Sequence, residues 1–327
     1  MRAVITQLFP PRPTYTEENV GSLKGKVFIV TGGNQGVGLE LVKILYAKGG
    51  TVYIAGRSPT RIAAAVDTVN SIQTSSPGHV KTLALDLGDL TTIQPCVSAF
   101  LAQESRLDVL WLNAGVAQLP AGTTTAQGYE VHMGTNCLGP FLLTKLMLPL
   151  LVRTAKTSPK ASVRVVFTSS GIIDMTGPPG GISLAELVPG HYSQDRGHNY
   201  SASKAGNWIL SSEFDKRVGG DRVLCVTQNP GILNTTGWGA MSWAIRLLIS
   251  PLMHPPKMGA YTELWTGLSP DVKAEDGGRL ATAWGRWHPS PRQDILESMK
   301  TKAEGGTGVA AQFWDWCEAQ TKPYAGV

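Results

Sequence analysis

Residues 26–57, KVFIVTGGNQGVGLELVKILYAKGGTVYIAGR, constrain the fold more than any other stretch of the chain. The apolar run KVFIV is typical of a parallel strand that is covered on both faces. A glycine-rich turn follows it, and then apolar residues at helical spacing from Val37, up to the stop signal Gly49–Gly50. TVYIA has the pattern of a second strand. The stretch therefore predicts strand, turn, helix and strand, as in a parallel βαβ unit.

The same alternation continues along the chain. Further helices are predicted near 58–74, 90–104, 126–156 and 199–217, and further strands at 80–85, 107–113, 162–170 and 222–228, followed by a helical C-terminal portion. Strands that alternate with helices in this way favour an α/β fold with one doubly wound, parallel, Rossmann-type sheet. We therefore predict an N-terminal lead-in over 1–22 and a single domain over 23–327.

Charge, cysteines and apolar runs exclude several classes of protein. The net charge of +5 is dispersed, whereas a nucleic-acid footprint needs clustered Lys and Arg. The four cysteines and six histidines lack metal-site or disulfide spacing, so no metal is predicted. The apolar run before Pro10 is too short for a signal peptide. The longest apolar run elsewhere, residues 238–253, is interrupted by Arg246 and Pro251. It is also shorter than the roughly 20 residues that a membrane span needs. We therefore predict a cytoplasmic protein.

The turn TGGNQGVG, residues 31–38, lies between the first strand and the first helix. Gly32, Gly36 and Gly38 let the backbone turn tightly and approach a pyrophosphate, and at Val37 the helix begins with free N–H groups. Glycines also serve ordinary turns, but in the strand–turn–helix context this pattern predicts a nucleotide site. The spacing is G-x-x-x-G-x-G and differs from the commonest dinucleotide fingerprint.

That spacing, together with NAG at 113–115 and Tyr200-x-x-x-Lys204, resembles the short-chain dehydrogenase/reductase family. The resemblance runs from about residue 20 to the end of the chain, with the motifs in the family's order. It is most similar to the retinol-dehydrogenase-like branch found in fungal secondary metabolism. The resemblance implies an NAD(P)-binding enzyme that interconverts a carbonyl and an alcohol, with its C-terminal portion binding the substrate.

Tyr200 and Lys204 are one helical turn apart, so both side chains project from one face. A phenol has an ordinary pKa near 10, and a nearby ammonium and a positive nicotinamide would lower it toward neutrality. The resemblance implies that Ser170, rather than Ser169, positions the carbonyl, and that Asn136 supports the lysine through water. Taken singly, each of these residues could be structural; their combination predicts catalysis.

The cofactor is predicted to be NADP(H). Arg57 follows the second strand, where NAD enzymes of this type commonly have an acidic residue, and a guanidinium matches a 2′-phosphate. Alternatively, Arg57 is solvated and Arg61, or nothing, has this role. The resemblance further implies cofactor contacts by Asp86, Asn113 and Gly115, by Pro230, Gly231, Ile232 and Thr235, and by Tyr200 and Lys204 themselves.

The predicted substrate is a small apolar carbonyl compound or alcohol. Residues 171–199 are interpreted as an insertion on the rim of its pocket, or else a surface loop without contact. An apolar stripe at helical spacing over 238–253 is interpreted as a lid, with core packing and a peripheral membrane patch as alternatives. The sequence also leaves open whether the protein forms a homo-oligomer. The other functional classes are a cofactor-binding scaffold or redox sensor, and a non-redox isomerase or cyclase.

Overall fold

The computed structural model describes residues 7–234 and 250–326. A single sheet of eight strands lies at its centre. The strands are β1 (Val27–Thr31), β2 (Thr51–Gly56), β3 (His79–Ala84), β4 (Val109–Leu112), β5 (Val163–Thr168), β6 (Val223–Gln228), β7 (Leu280–Thr282) and β8 (Arg286–Trp287). Their order across the sheet is β3-β2-β1-β4-β5-β6-β7-β8, and only the last pair is antiparallel.

Helices cover both faces of this sheet. They are α1 (Gly36–Ala47), α2 (Pro59–Asn70), α3 (Ile93–Leu101), α4 (Val131–Lys156), α5 (Ile173–Thr176), α6 (Arg196–Val218), α7 (Pro256–Leu268), α8 (Gln293–Met299) and α9 (Val309–Thr321). Side chains of α1, α2 and α7 contribute to one large buried apolar cluster, and those of α3, α4, α6 and α9 contribute to a second. The predicted doubly wound, Rossmann-type sheet with a helical C-terminal portion is confirmed. The carboxyl ends of its parallel strands meet at one edge, where such folds bind ligands.

Two details differ from the sequence-based expectation. The C-terminal portion also contributes β7 and β8, which are too short for an apolar alternation to show in the sequence; β7 forms because Leu280 and Ala281 pair with β6. Helix α4 begins at Val131 rather than near 126 because residues 125–129 form a turn, in which Thr125 N–H donates to the Tyr129 carbonyl.

The lead-in packs onto the domain. Val20 is buried in the cluster that contains α1, and the Tyr15 hydroxyl donates to the Leu268 carbonyl. A division of the chain at residue 23 stays a prediction.

Among the described helices, α4 alone is long and apolar enough to cross a membrane by length and composition. However, 67% of its apolar window is buried inside the protein. This burial is what a core helix packed against a sheet requires.

Candidate active site

A cavity of about 490 Å³ lies at the carboxyl edge of the sheet. It brings together most of the residues that the sequence predicts for the site: Gly32, Gly36, Val37, Arg57, Asp86, Asn113, Gly115, Ser170, Tyr200, Lys204, Pro230 and Gly231. Gly38, Asn136 and Ile232 are not in its lining, and Thr235 lies outside the described residues. We call residues 31–37 and 55–61 the glycine-loop wall. The tyrosine wall comprises 116–118, 170–172, Tyr200 and 230–231.

The glycine loop is shaped by positions that cannot take a side chain. Gly32 and Gly36 have positive φ angles of 67° and 56°, which favour glycine. A Cβ on Gly38 would lie 2.5 Å from Asn113 Nδ2 and 2.7 Å from the Gly32 carbonyl oxygen. Asn113 Nδ2 in turn donates to the Thr31 carbonyl at 2.8 Å and ties β4 to the start of the loop. Gly38 thus supports the loop from behind.

These features fit a dinucleotide. Helix α1 begins at Gly36, and the side chain of its N-cap residue, Gln35, makes no capping hydrogen bond. The first-turn N–H groups and the positive end of the helix dipole therefore face a cradle whose glycines leave room for a pyrophosphate.

The end of β2 carries a basic corner. Arg57 and Arg61 are exposed, line the cavity, and form no ion pair within residues 7–234 and 250–326. Asn34 and Ser58 also line this corner, and Ser58 caps α2 by accepting from the Arg61 N–H at 3.4 Å. Our sequence reasoning did not select these two; the Ser-Pro start of α2 was an available signal for Ser58.

Lys204 lies beneath Tyr200 on the same face of α6. Its ammonium donates to the Thr168 carbonyl at 3.0 Å and lies 5.8 Å from the centre of the Tyr200 ring. A Cβ on Gly115 would be 3.2 Å from this Nζ and 3.0 Å from Asn136 Oδ1, so a side chain at this position would press on both groups. Lys204 is 5% exposed, and burial lowers its pKa to about 8.

Tyr200 differs electrostatically from the sequence-based expectation. Burial raises the pKa of the Tyr200 phenol, and a hydrogen bond with the Ser170 side chain opposes that rise. In the protein without cofactor, burial outweighs the lowering of this pKa that the sequence leads us to expect. The protein therefore favours the neutral phenol.

The two serines of the pair differ in what their hydroxyls contact. Ser169 is buried, and its hydroxyl donates to the Lys204 carbonyl at 2.8 Å. Both serines line the cavity, but only the side chain of Ser170 forms a hydrogen bond with the Tyr200 phenol. Ser169 thus anchors α6, while the hydroxyl of Ser170 is the one placed to meet a ligand.

Asn136 is buried in a π-helical turn of α4, Gly134–Leu138. Its Oδ1 accepts from the Val116 N–H at 2.8 Å, while its Nδ2 donates to the Val116 carbonyl at 3.0 Å and to Ser203 Oγ at 2.9 Å. The amide therefore joins the loop after Gly115 to α6, close to Lys204. Turns of this kind often occur at functional sites.

The predicted rim contributes Ile172 to the cavity and then forms α5. Asp174 Oδ2 accepts from His288 Nε2 at 2.9 Å and from Gln7 Nε2 at 2.7 Å. Gln7 Oε1 accepts from Asn229 Nδ2 at 2.9 Å, immediately before Pro230. This network joins four distant segments behind the tyrosine wall. No local sequence pattern predicts it.

The stripe interpreted as a lid, 238–253, lies mostly outside the described residues. Only its end, from Ser250, is described, and Ser250–Leu252 form a 3-10 helix. The lid stays a prediction.

Comparison with known proteins agrees with this geometry. A family model described as short chain dehydrogenase matches residues 26–243. The short-chain dehydrogenase/reductase iacJ of Pestalotiopsis fici is 45% identical over 325 residues, which cover 97% of each chain. The chain belongs to the short-chain dehydrogenase/reductase family. A family member from Phomopsis amygdali is 44% identical over 326 residues, covering 97% of this chain and 96% of its own.

A solved structure shares the fold. An uncharacterized protein from Mycobacterium paratuberculosis has a TM-score of 0.66 and 27% sequence identity, with coverage of 94% of this chain and 97% of its own. The resemblance to fungal short-chain dehydrogenase/reductases is confirmed. Family membership makes the protein an oxidoreductase that uses a nicotinamide cofactor.

Proposed function

We propose that this protein is an NADP(H)-dependent oxidoreductase that reversibly reduces a carbonyl group of an apolar small molecule to an alcohol. We place it in a fungal secondary-metabolite pathway, in line with its fungal relatives. The observation that carries the proposal is that Ser170, Tyr200 and Lys204 line the same cavity as the glycine loop and Arg57. A proton donor, a carbonyl-binding hydroxyl and a nucleotide cradle thus share one space.

Each side chain has a role in the reduction. When bound, the nicotinamide cofactor supplies a hydride to the carbonyl carbon. Tyr200 donates its phenol proton to the carbonyl oxygen, and the Ser170 hydroxyl holds that oxygen by a hydrogen bond. The product alcohol has then gained a hydride on carbon and a proton on oxygen. In the reverse direction, the Tyr200 phenolate takes the proton back.

Burial acts on the protonation of both Tyr200 and Lys204. A raised Tyr200 pKa keeps the phenol protonated, which is the form that donates. Lys204, whose pKa is about 8, is mainly an ammonium at pH 7 and stabilises the phenolate left after the transfer. Asn136 keeps the adjoining loop in place and does not itself reach the cavity.

The preference for NADP(H) rests on the basic corner. Arg57 and Arg61 present two guanidinium groups at the end of β2, where a dinucleotide's adenosine ribose binds in this fold. Such groups bind a phosphate by charge-assisted, paired hydrogen bonds, whereas a carboxylate at this corner would repel it.

The direct test uses NADPH deuterated at C4 of the nicotinamide ring with a panel of apolar ketones and aldehydes. Mass spectrometry should find deuterium on the carbinol carbon of the products. Tyr200→Phe should abolish labelling while retaining NADPH binding. Tyr129→Phe is the matched control, because its hydroxyl bonds Gln320 outside the cavity.

Other outcomes would identify the alternatives. NADPH binding without label transfer to any compound would favour a cofactor-binding scaffold. Conversion of a compound without label would favour an isomerase or cyclase. Label transfer that persists in Tyr200→Phe would remove the tyrosine from its assigned role.

A further inference from the structure

The loop after Gly115 holds one residue in a costly conformation. Gln118 has a φ of 55°, in the left-handed region that non-glycine residues rarely adopt. Such a conformation persists only where the surroundings impose it, and it is commonest at functional sites. Gln118 lines the cavity, and its amide has no hydrogen-bond partner among the described residues. It is therefore an available donor and acceptor in the tyrosine wall.

The next residue is held by a buried histidine. The Leu119 N–H donates to His132 Nε2 at 3.3 Å, and His132 Nδ1 is 2.7 Å from Glu130 Oε1. Because Nε2 accepts from a backbone N–H, the ring proton belongs on Nδ1, which donates to Glu130. Glu130 is itself fixed, since its Oε2 accepts from the Met133 N–H at 2.8 Å. His132 is 1% exposed, so this anchor is shielded from water.

The same histidine also contacts Tyr200. The two rings lie edge to face, with their centres 6.0 Å apart. His132 thus supports the residue proposed to donate the proton on one side and the strained loop on the other. A displacement of this ring would move both.

We propose that Gln118 determines substrate specificity by hydrogen-bonding a second oxygen of the substrate, and that His132 is a positioning residue that holds Gln118 and Tyr200 in register. The inference rests on the proposed function and narrows its substrate class to apolar carbonyl compounds with a second oxygen, either hydroxyl or keto, away from the reacting carbonyl. The two wall residues that precede Gln118 along the chain, Val116 and Ala117, are apolar, and so is Ile172 in the same wall. A polar group in such a wall discriminates strongly, because a substrate that lacks the matching oxygen leaves it unpaired.

The test compares 1-tetralone, which has one oxygen, with its ring-hydroxylated analogues. Wild-type protein should have a higher kcat/KM for at least one hydroxytetralone than for 1-tetralone. Gln118→Leu should lower that value about tenfold, leave 1-tetralone within twofold, and leave the Kd for NADPH unchanged. Gln312→Leu, at an exposed position on α9, is the matched control and should change none of these values.

His132 is tested by rescue. His132→Ala should lower kcat for both compounds about tenfold and remove the discrimination between them. His132→Gln can return an acceptor to the Leu119 N–H and should restore the discrimination in part. If His132→Ala lowers only the Tm and leaves kcat and the discrimination unchanged, its role is structural and the inference for His132 is overturned.

The remaining outcomes separate this inference from the function on which it rests. Turnover of ketones that is unaffected by Gln118→Leu would overturn the inference and leave the proposed function standing. Weaker NADPH binding by Gln118→Leu would assign the residue to the cofactor and would also overturn the inference. Absence of turnover of every ketone, with either NADPH or NADH, would overturn both.

Discussion

The glycine-loop wall and the tyrosine wall enclose the same cavity but are built differently. The first comes from one βαβ stretch, in which the turn, the start of α1 and the end of β2 follow one another along the chain. The second is assembled from distant segments and supported from behind by long-range contacts. In these contacts Gln7 and Asp174 are 167 residues apart, and Asn136 and Ser203 are 67 apart. One wall is local in sequence, and the other depends on the completed fold.

Because the two walls are built differently, we expect substitutions in them to act in different ways. The glycine-loop wall depends on backbone geometry and on exposed arginines, so its substitutions act directly at single positions, through steric fit or through lost charge. The tyrosine wall depends on buried polar pairs, so its substitutions act through the position of a neighbour. We therefore expect changes in the first wall to affect cofactor binding and changes in the second to affect turnover and substrate binding.

The largest expected effect is at Lys204. Lys204→Met should lower kcat by roughly 10²- to 10⁴-fold, because the Tyr200 phenolate loses its stabilising charge. Steady-state kinetics checks this, and an unchanged kcat would contradict the role of the ammonium. The Thr168 carbonyl stays satisfied in this variant, since Asn207 Nδ2 also donates to it at 3.0 Å.

The stability difference between Lys204→Met and the wild type should depend on pH. Burial lowers the Lys204 pKa from 10.5 to about 8, so between those values the folded protein binds fewer protons than the unfolded chain. The free energy of unfolding of the wild type, as far as it depends on Lys204, therefore rises as the pH increases from about 8 to 10.5. Lys204→Met should be more stable than the wild type by up to about 3 kcal/mol at pH 7, and the difference should vanish toward pH 10.5. Chemical denaturation at several pH values measures it.

The next effect is at Arg57 in the glycine-loop wall. Arg57→Ser removes charge-assisted hydrogen bonds to a 2′-phosphate, so NADPH affinity should fall about 10- to 100-fold. NADH affinity should change little, and titration calorimetry with both cofactors gives the ratio. Equal losses for the two cofactors would show that Arg57 does not contact the phosphate.

A smaller effect is expected at Gly38. The Cβ of Gly38→Ala would press on Asn113 Nδ2 and the Gly32 carbonyl and displace the loop, so the Kd for NADPH should rise about tenfold. Gly21→Ala is the matched control, because a Cβ there meets nothing within 4 Å. If both variants bind NADPH as the wild type does, the loop is not the cradle.

The smallest effect is expected at Asp174, in the network behind the tyrosine wall. Asp174→Asn retains an oxygen but removes the charge that His288 Nε2 and Gln7 Nε2 approach. The KM for a ketone substrate should rise about twofold to fivefold, with the Kd for NADPH unchanged. Asp67→Asn, exposed on α2, should change neither. A selective loss of NADPH affinity would break the contrast between the walls.

The same contrast explains how much the sequence predicts. Gly32, Arg57 and the Tyr200–Lys204 pair carry their chemistry within a few residues of a recognisable strand or helix, so the sheet and most of the cavity lining were predictable. His132 and Gln118 carry no such pattern, because their contacts arise only when α4 meets the loop after β4. Strand β8, with two residues, has no periodicity to detect. The Tyr200 pKa depends on burial, which spacing does not express.

The π-helical turn Gly134–Leu138 changes which side of α4 the residues before it face, relative to the residues after it. In it the Gly139 N–H donates to the Gly134 carbonyl, so the helix holds one residue more per turn there than an α-helix does. Deleting one residue of the turn would rotate everything before it by about 100° relative to the rest of the helix. His132 would then leave Tyr200, while Phe141 and Leu150 kept their places against the sheet. Because of the extra residue, the start of the helix can place polar side chains against the site while the rest of it packs apolar side chains against the sheet.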